Sequence, residues 1–517
     1  MPRLRPWSTS LFVVCATAGA AVMFFLSWKI EFIYDDIYQI VFNEHIKHGL
    51  SWRWLSSDPL RPQRLIQNST FAINWAVSGP SRWSWHLFSV GLHLANAILL
   101  FGLLRRLRAP DPGIVWLGCL LFLLHPLQLE SVSYIMGRNE VLKLLATLVA
   151  LHLYLAPRRP RVLLHFFLAV CLLVKETMAI TPFLFVALDL TVGGVSWRRL
   201  AWREHVFYCS HVLWFLFWRL LLDFNTQAAV IGFHIYPFWD YVVSNLHYAW
   251  FYLKLAVDPA GQAIYHDWVA RPPLWQVLAG SGFLMGIAAV GIRARQRNPV
   301  TAFMVIFFAV AYLPHFSILQ FINPFAENRL YQANAGLAYL AMAGLFVILR
   351  SRRVAIIISV LALAYFCVWH VALLRLWRDP NLVWSYASEK YPDSAVINTL
   401  LGTYHARRGR CLEALRHFER GCRNHLRDSA RANCQAYQGV LYVWTGNRQA
   451  GVAMLRELLQ YPAHLRTAVY YNEVIYLAAV LGTSATVAQL RAEAEKVHPG
   501  VLGRTTPRSI PTKPPCE

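Results

Sequence analysis

Charge is scarce in this chain. Of its 517 residues only 15% are Asp, Glu, Lys or Arg, whereas 57% are hydrophobic and the mean hydropathy is +0.38. A soluble domain carries about a quarter charged residues, so a soluble globular enzyme is excluded. Acids are scarcer still, 27 against 49 Lys and Arg, which leaves a formal net charge of +22. No Cys-x-x-Cys or His-Glu-x-x-His pattern occurs, so nothing argues for a zinc site. No small-residue cleavage site precedes Lys29, and the apolar stretch from Ser10 to Trp28 after a basic start reads as an uncleaved signal anchor.

What the chain has instead is apolar length. A bilayer crossing needs about 20 mostly apolar residues. Spans are expected near 10–30, 83–104, 113–129, 140–156, 162–174, 177–190, 204–222, 273–292, 299–318, 330–349 and 354–374. Twenty Trp and twenty-three Tyr fit interfacial belts. The stretch 241–257 carries His247 and Lys254 between Asp240 and Asp258, and reads as an interfacial helix on the outer surface.

The loops between spans alternate in kind. One set is basic: Arg3 and Arg5, Arg105 to Arg108, Arg158 to Arg161, Arg198 to Arg203, Arg293 to Arg297, and Arg350 to Arg353. The other carries acids, histidines and amides: Asp35-Asp36, His125 to Glu140, Lys175-Glu176, Asp223 to Asp267, and Glu327-Asn328-Arg329. The positive-inside rule puts the first set in the cytoplasm and gathers the second on the opposite face. This placement explains much of the cationic excess. Nucleic acid is therefore not an expected partner, and membrane lipids are.

The expected organisation is a membrane domain over 1–377, helical repeats over 378–499, and a disordered tail over 500–517. Three stretches align at a spacing of about 36–37 residues, through Leu401-Gly402 and Gly409, Gly439 and Gly446, and Ala478 and Gly482. Small residues at crossing points, with a glycine between two helices, follow the tetratricopeptide pattern. Copies of this kind bury their apolar faces only by stacking. Cys411, Cys422 and Cys434 fall in this exported part, where disulfides persist. A bridge between Cys422 and Cys434 fits, although three cysteines leave the pairing open.

Four groups on the outer side could do chemistry. Asp35-Asp36 sits among aromatics, where burial and mutual repulsion raise at least one carboxyl pKa; it suits a general base or a helix cap. In the stretch from His125 to Glu140, Arg138 offers a planar fork for phosphate, or pairs with a glutamate to close a hairpin. Lys175-Glu176 marks a tight outer turn where the lysine neutralises an anion or pairs with Glu176. Glu327-Asn328-Arg329 leads into the tenth span. Arg61 and Arg64 are further cations in the long first loop. A carboxylate beside several cationic donors suits transfer from a phosphate-linked donor.

In the order and spacing of Tyr34-Asp35-Asp36, Arg61-Pro62, Trp85-His86 to His93 and Asn96, His125-Pro126 to Glu130, Gly137-Arg138, Lys175-Glu176, and Glu327 to Tyr331, the chain resembles the transmembrane and tetratricopeptide-repeat-containing O-mannosyltransferases. More broadly it is similar to GT-C glycosyltransferases that use polyprenyl-phosphate sugars. The resemblance implies an all-α polytopic GT-C-like membrane domain of about eleven helices with its site on the non-cytoplasmic face. It implies Asp35 as base with Asp36 next, and Arg138, Lys175 and Arg329 on the donor phosphate, with His125, Glu130, Glu176, Glu327 and Arg61 in supporting substrate contacts. Asp267, in Tyr265-His266-Asp267, falls where relatives often carry an acidic-aromatic pair. Asn328 separates Glu from Arg where relatives often have them adjacent.

The expected activity is transfer of a single sugar from a polyprenyl-phosphate donor to a Ser or Thr hydroxyl of an exported protein such as a pilin, with inversion. The expected place is a bacterial inner membrane with a periplasmic site. The sequon Asn68-Ser69-Thr70 keeps a lumenal site in the endoplasmic reticulum open. Other readings are a transferase acting on envelope polysaccharide or lipid, and a non-enzymatic flippase or scaffold. A divalent metal, Mg or Mn, is not required; if one binds, Asp35, Asp36, Glu130 and His125 are its candidate ligands.

Overall fold

The computed structural model describes residues 6–47, 64–221, 231–232, 236–316, 320–321, 323–424, 428–462 and 468–497. Arg61 and the expected disordered tail lie outside the described residues. The chain is an all-α polytopic membrane protein. Its only β structure among these residues is an antiparallel pair of two-residue strands, Ile231–Gly232 with Gln320–Phe321. Two compact units form: 1–262 with 268–379, and 263–267 with 380–517.

The helices of the first unit are α1 (Pro6–Ser27), α2 (Leu65–Ser78), α3 (Trp83–Arg106), α4 (Pro112–Leu124), α5 (Arg138–Tyr154), α6 (Arg161–Cys171), α7 (Thr181–Leu190), α8 (Trp202–Leu221), α9 (Phe238–Val257), α10 (Leu274–Arg297), α11 (Pro299–Tyr312), α12 (Tyr331–Ile348) and α13 (Arg352–Leu376). Each expected span falls on a helix. Five of them, α1, α3, α10, α12 and α13, are long and apolar enough to cross a membrane by themselves. A sixth arises if α4 and Pro126–Val132 count as one span bent by 52°. Helices α6 and α7 have 11 and 10 residues. At about 1.5 Å per residue they reach roughly half the hydrocarbon thickness.

Local signals set the helix ends. Asp111 caps α4 by accepting from Gly113 N at 2.6 Å, with Pro112 in the first turn. Packing then uses polar pins inside the apolar core, where an unpaired polar group is costly. His93 of α3 bonds Tyr331 Oη at 2.6 Å and Leu123 O at 3.0 Å, and Asn96 donates to Val141 O at 2.9 Å and Tyr331 Oη at 3.0 Å. These motif residues thus fasten α3 to α4, α5 and α12.

Helix α9, expected as an interfacial helix, buries Tyr248, Ala249, Tyr252 and Leu255 in the same apolar core as α11 and α12, and leaves Trp239 and Val257 exposed. Its backbone meets α10 so closely that a Cβ at Gly280 would stand 1.9 Å from Leu246 O.

The second unit holds α14 (Pro380–Lys390), α15 (Ala395–Arg407), α16 (Cys411–Asn424), α17 (Asp428–Trp444), α18 (Arg448–Leu459), α19 (Ala468–Val480) and α20 (Ser484–Val497). Three helix hairpins turn at Gly409, Gly446 and Gly482, whose φ values of 78°, 87° and 76° suit glycine. Cys422 of α16 is disulfide-bonded to Cys434 of α17.

Candidate functional site

The loop after α1 carries the two adjacent acids into different surroundings. Asp36 is buried, at 1% exposure. Its carboxylate accepts from Met136 N at 2.8 Å and from Ile33 N at 3.3 Å. Burial pushes its pKa up to about 8, with the neighbouring Asp35 charge adding and the backbone N–H groups opposing. Asp35 is exposed, and its backbone N–H donates to Tyr134 Oη at 3.2 Å. Between the loop and α1, Tyr34 adopts φ +56°, an uncommon value for a tyrosine. Its ring stacks on Tyr134 with centroids 6.3 Å apart. Burial raises both tyrosine pKa values, and the Asp35 carboxylate adds to each.

Opposite acids and cations come from distant hairpins. Glu130 is buried and accepts from Asn328 N at 3.1 Å, while Ser131 Oγ donates to Asn328 O at 3.1 Å. Glu327 is buried beside Glu130 and accepts from Gln262 Nε2 at 2.8 Å. Arg329 donates to Asn323 O at 2.6 Å and lies 4.7 Å from the Phe321 ring centre. The charges of Asp35, Glu130 and Arg329 all act on Tyr34, so the acidic loop and the 327–330 turn both lie near that ring.

A second charge cluster is buried around Glu140. Glu140 pairs with Lys143 at 2.6 Å and also with Lys175. His315 Nε2 is 3.4 Å from Lys143 Nζ, and the charges of Lys143, Lys175 and Arg329 all reach it. Burial lowers the Lys175 pKa, against the pull of Glu140. Two lysines sharing one carboxylate leave this trio positive. Lys143 and His315 escaped the sequence reading. The available signal was a lysine three residues after Glu140 inside an apolar helix, a position that is costly unless used or paired.

Other candidates lie elsewhere. Lys175 pairs with Glu140 and not with the half-buried Glu176, because the turn aims it inward. Arg138 is fully buried. Its guanidinium donates to Ser89 Oγ, Thr70 Oγ1, Asn74 Oδ1 and Trp85 O at 2.7–3.2 Å, and stands 4.9 Å from the Phe88 ring centre. With those donors committed, it does not present the fork to phosphate that the motif suggested. The preceding Gly137 is needed because a Cβ there would stand 2.4 Å from Glu130 O. Thr70 of the sequon is buried under Arg138 within α2.

His125 has both ring nitrogens engaged, with Ala256 O at 2.9 Å and Leu127 N at 3.1 Å. Asp36 and Glu130 are likewise committed to backbone N–H groups. The four proposed metal ligands do not converge, and no cluster of three His, Cys, Asp or Glu side chains that could hold a metal occurs among the described residues.

Fold and site together define a polytopic membrane protein with an exposed acid, Asp35, and two buried lysines, Lys143 and Lys175, paired with one glutamate. The chain is similar to protein O-mannosyl-transferase TMTC1 of Homo sapiens, 28% identical over 146 residues, 26% of this chain and 17% of the relative. It is similar to TMTC2 of Homo sapiens, 30% identical over 136 residues, 24% of this chain and 16% of the relative. It is also similar to protein O-mannosyl-transferase Tmtc2 of Drosophila melanogaster, 28% identical over 221 residues, 38% of this chain and 23% of the relative. The chain thus spans less than a quarter of the length of these curated relatives. No family model and no solved structure matches. The resemblance read from the motifs is therefore carried by alignment to curated proteins.

Proposed function

We propose that this chain is a GT-C-like membrane glycosyltransferase that moves one sugar from a polyprenyl-phosphate donor to a Ser or Thr hydroxyl of an exported protein. The observation that carries the reading is an exposed acid, Asp35, next to Tyr34, on which the charge of Arg329 also acts, while Arg329, Lys143 and Lys175 act together on His315. The names of the relatives support a protein acceptor. The Cys422–Cys434 disulfide supports an exported second unit.

In this reading Asp35 takes the proton of the acceptor hydroxyl as its oxygen bonds to the anomeric carbon. The bond from that carbon to the phosphate oxygen breaks, and the polyprenyl phosphate leaves with the electron pair. Arg329, Lys143 and Lys175 stabilise the charge that develops there, which is where fixed cations accelerate transfer most. Attack opposite the leaving group inverts the anomeric centre. Asp36, Tyr134 and the strained Tyr34 hold Asp35 in place. Arg138 and His125 support the scaffold. The hairpins of the second unit form a tetratricopeptide-like array that holds the acceptor, for which a bacterial pilin in the periplasm is one fitting class.

The test is transfer of radiolabelled sugar from a polyprenyl-phosphate donor to exported proteins by the purified chain, with and without EDTA. Transfer to protein supports the reading, and label found only in glycan or lipid overturns the acceptor. No transfer across a panel of donor sugars overturns the activity.

A further inference from the structure

One stretch of chain passes from the first unit to the second and back. Residues up to Gln262 and from Trp268 onward belong with the membrane unit, whereas Ala263–Asp267 belong with the helical unit. The passage is fastened at each stage. Gln262 Nε2 donates to Glu327 Oε2 at 2.8 Å, with both side chains buried. His266 Nδ1 bonds Tyr391 Oη at 2.8 Å, and Ser394 Oγ donates to Asp267 Oδ1 at 2.8 Å. On the return, Trp268 Nε1 donates to Ser244 Oγ at 3.1 Å. Ser394 is itself the N-cap of α15 and accepts from Ile397 N at 3.3 Å. The first hairpin of the helical unit and this stretch therefore share one hydroxyl.

The other end of the passage reaches the candidate site. Glu327 opens the 3-10 turn Glu327–Leu330 that carries Arg329. If Gln262 leaves, the Glu327 carboxylate loses that donor, and the guanidinium two residues on in the same turn can take its place. An Arg329 drawn to Glu327 is no longer available to a leaving phosphate.

We propose that residues 262–268 act as a strap, with Asp267 and Gln262 as positioning residues that keep Arg329 aimed at the transferred group. This inference rests on the glycosyl-transfer reading, and its test separates the two.

The perturbation is Asp267→Ala in the full chain, with Asp267→Asn as the conservative variant, since an amide oxygen still accepts from Ser394. Hydrogen exchange in detergent is read over 327–330 and over 391–407, alongside transfer from a polyprenyl-phosphate sugar. The strap predicts faster exchange at 327–330, far in sequence from the substitution. It also predicts turnover lower by about tenfold, the worth of one weakened charge-assisted contact. Asp267→Asn should stay within about twofold of the parent. Exchange changes confined to 391–407 with unaltered turnover would reduce Asp267 to a local cap and overturn the strap. A parent chain without transfer overturns the functional reading instead, and exchange at 327–330 still decides the strap. If Asp267→Ala does not fold, Tyr391→Phe removes the His266 bond and is held to the same pattern at smaller amplitude.

Discussion

The two neighbouring acids should separate cleanly under substitution. Asp36 is buried and accepts two backbone N–H groups, from Met136 at 2.8 Å and Ile33 at 3.3 Å. Asp36→Ala strands both donors, and at about 1–3 kcal/mol for each buried orphan the loss is about 2–5 kcal/mol of stability. Asp36→Asn strands one, because an amide presents a single acceptor, and costs about 1–3 kcal/mol. Asp35 is exposed, so Asp35→Asn should change stability by no more than about 0.5 kcal/mol. As the general base its loss should lower turnover by about 10²–10⁴. Thermal unfolding in detergent and single-turnover transfer measure the two effects. The pH dependence adds a sign. The folded-state pKa of Asp36 is about 8, above an ordinary aspartate near 3.9. Between these values the folded state binds the extra proton. Stability is therefore full below about pH 4 and falls as pH rises toward 8, by at most about 1.4 kcal/mol per unit. Asp36→Asn should flatten that slope. An Asp35→Asn protein that transfers at the parental rate, or an Asp36→Ala protein as stable as the parent, would refute the assignment of roles.

Glu140→Gln leaves Lys143 and Lys175 without their shared counter-charge and should cost about 3–5 kcal/mol, read as a lower unfolding midpoint. Lys143→Met alone removes the excess charge and leaves the Glu140–Lys175 pair; it should raise the donor KM, measured at saturating acceptor, and an unchanged KM would detach this cluster from the phosphate. Arg138→Lys should lower the unfolding midpoint, since one ammonium cannot replace four donated hydrogen bonds, while leaving the donor KM unchanged. Non-reducing peptide mapping should recover a peptide pair joined through Cys422 and Cys434, and free thiols at both would contradict an exported second unit.

The alternation of basic and acidic loops, the apolar lengths and the glycine spacing lie on the local side of the problem, where a dozen residues decide the outcome. Helix existence and the hairpin glycines were legible for that reason. Loop residues could be given an expected side of the membrane, because each crossing reverses the side. Their partners could not be read. Asp35 and Asp36 have the same chemistry in sequence, and the packing of Met136 against one of them made it structural and left the other exposed. Arg138 looked like a phosphate fork until Thr70, Asn74, Trp85 and Ser89, from two other helices, enclosed it. Lys175 turned from its neighbour Glu176 to Glu140. The sequence by itself determined the apolar lengths that make the chain an all-α polytopic membrane protein, because transfer from water to lipid depends on local composition. Only the tertiary structure decided which charged groups stay available, because burial and pairing depend on side chains brought from 35 to about 200 residues away.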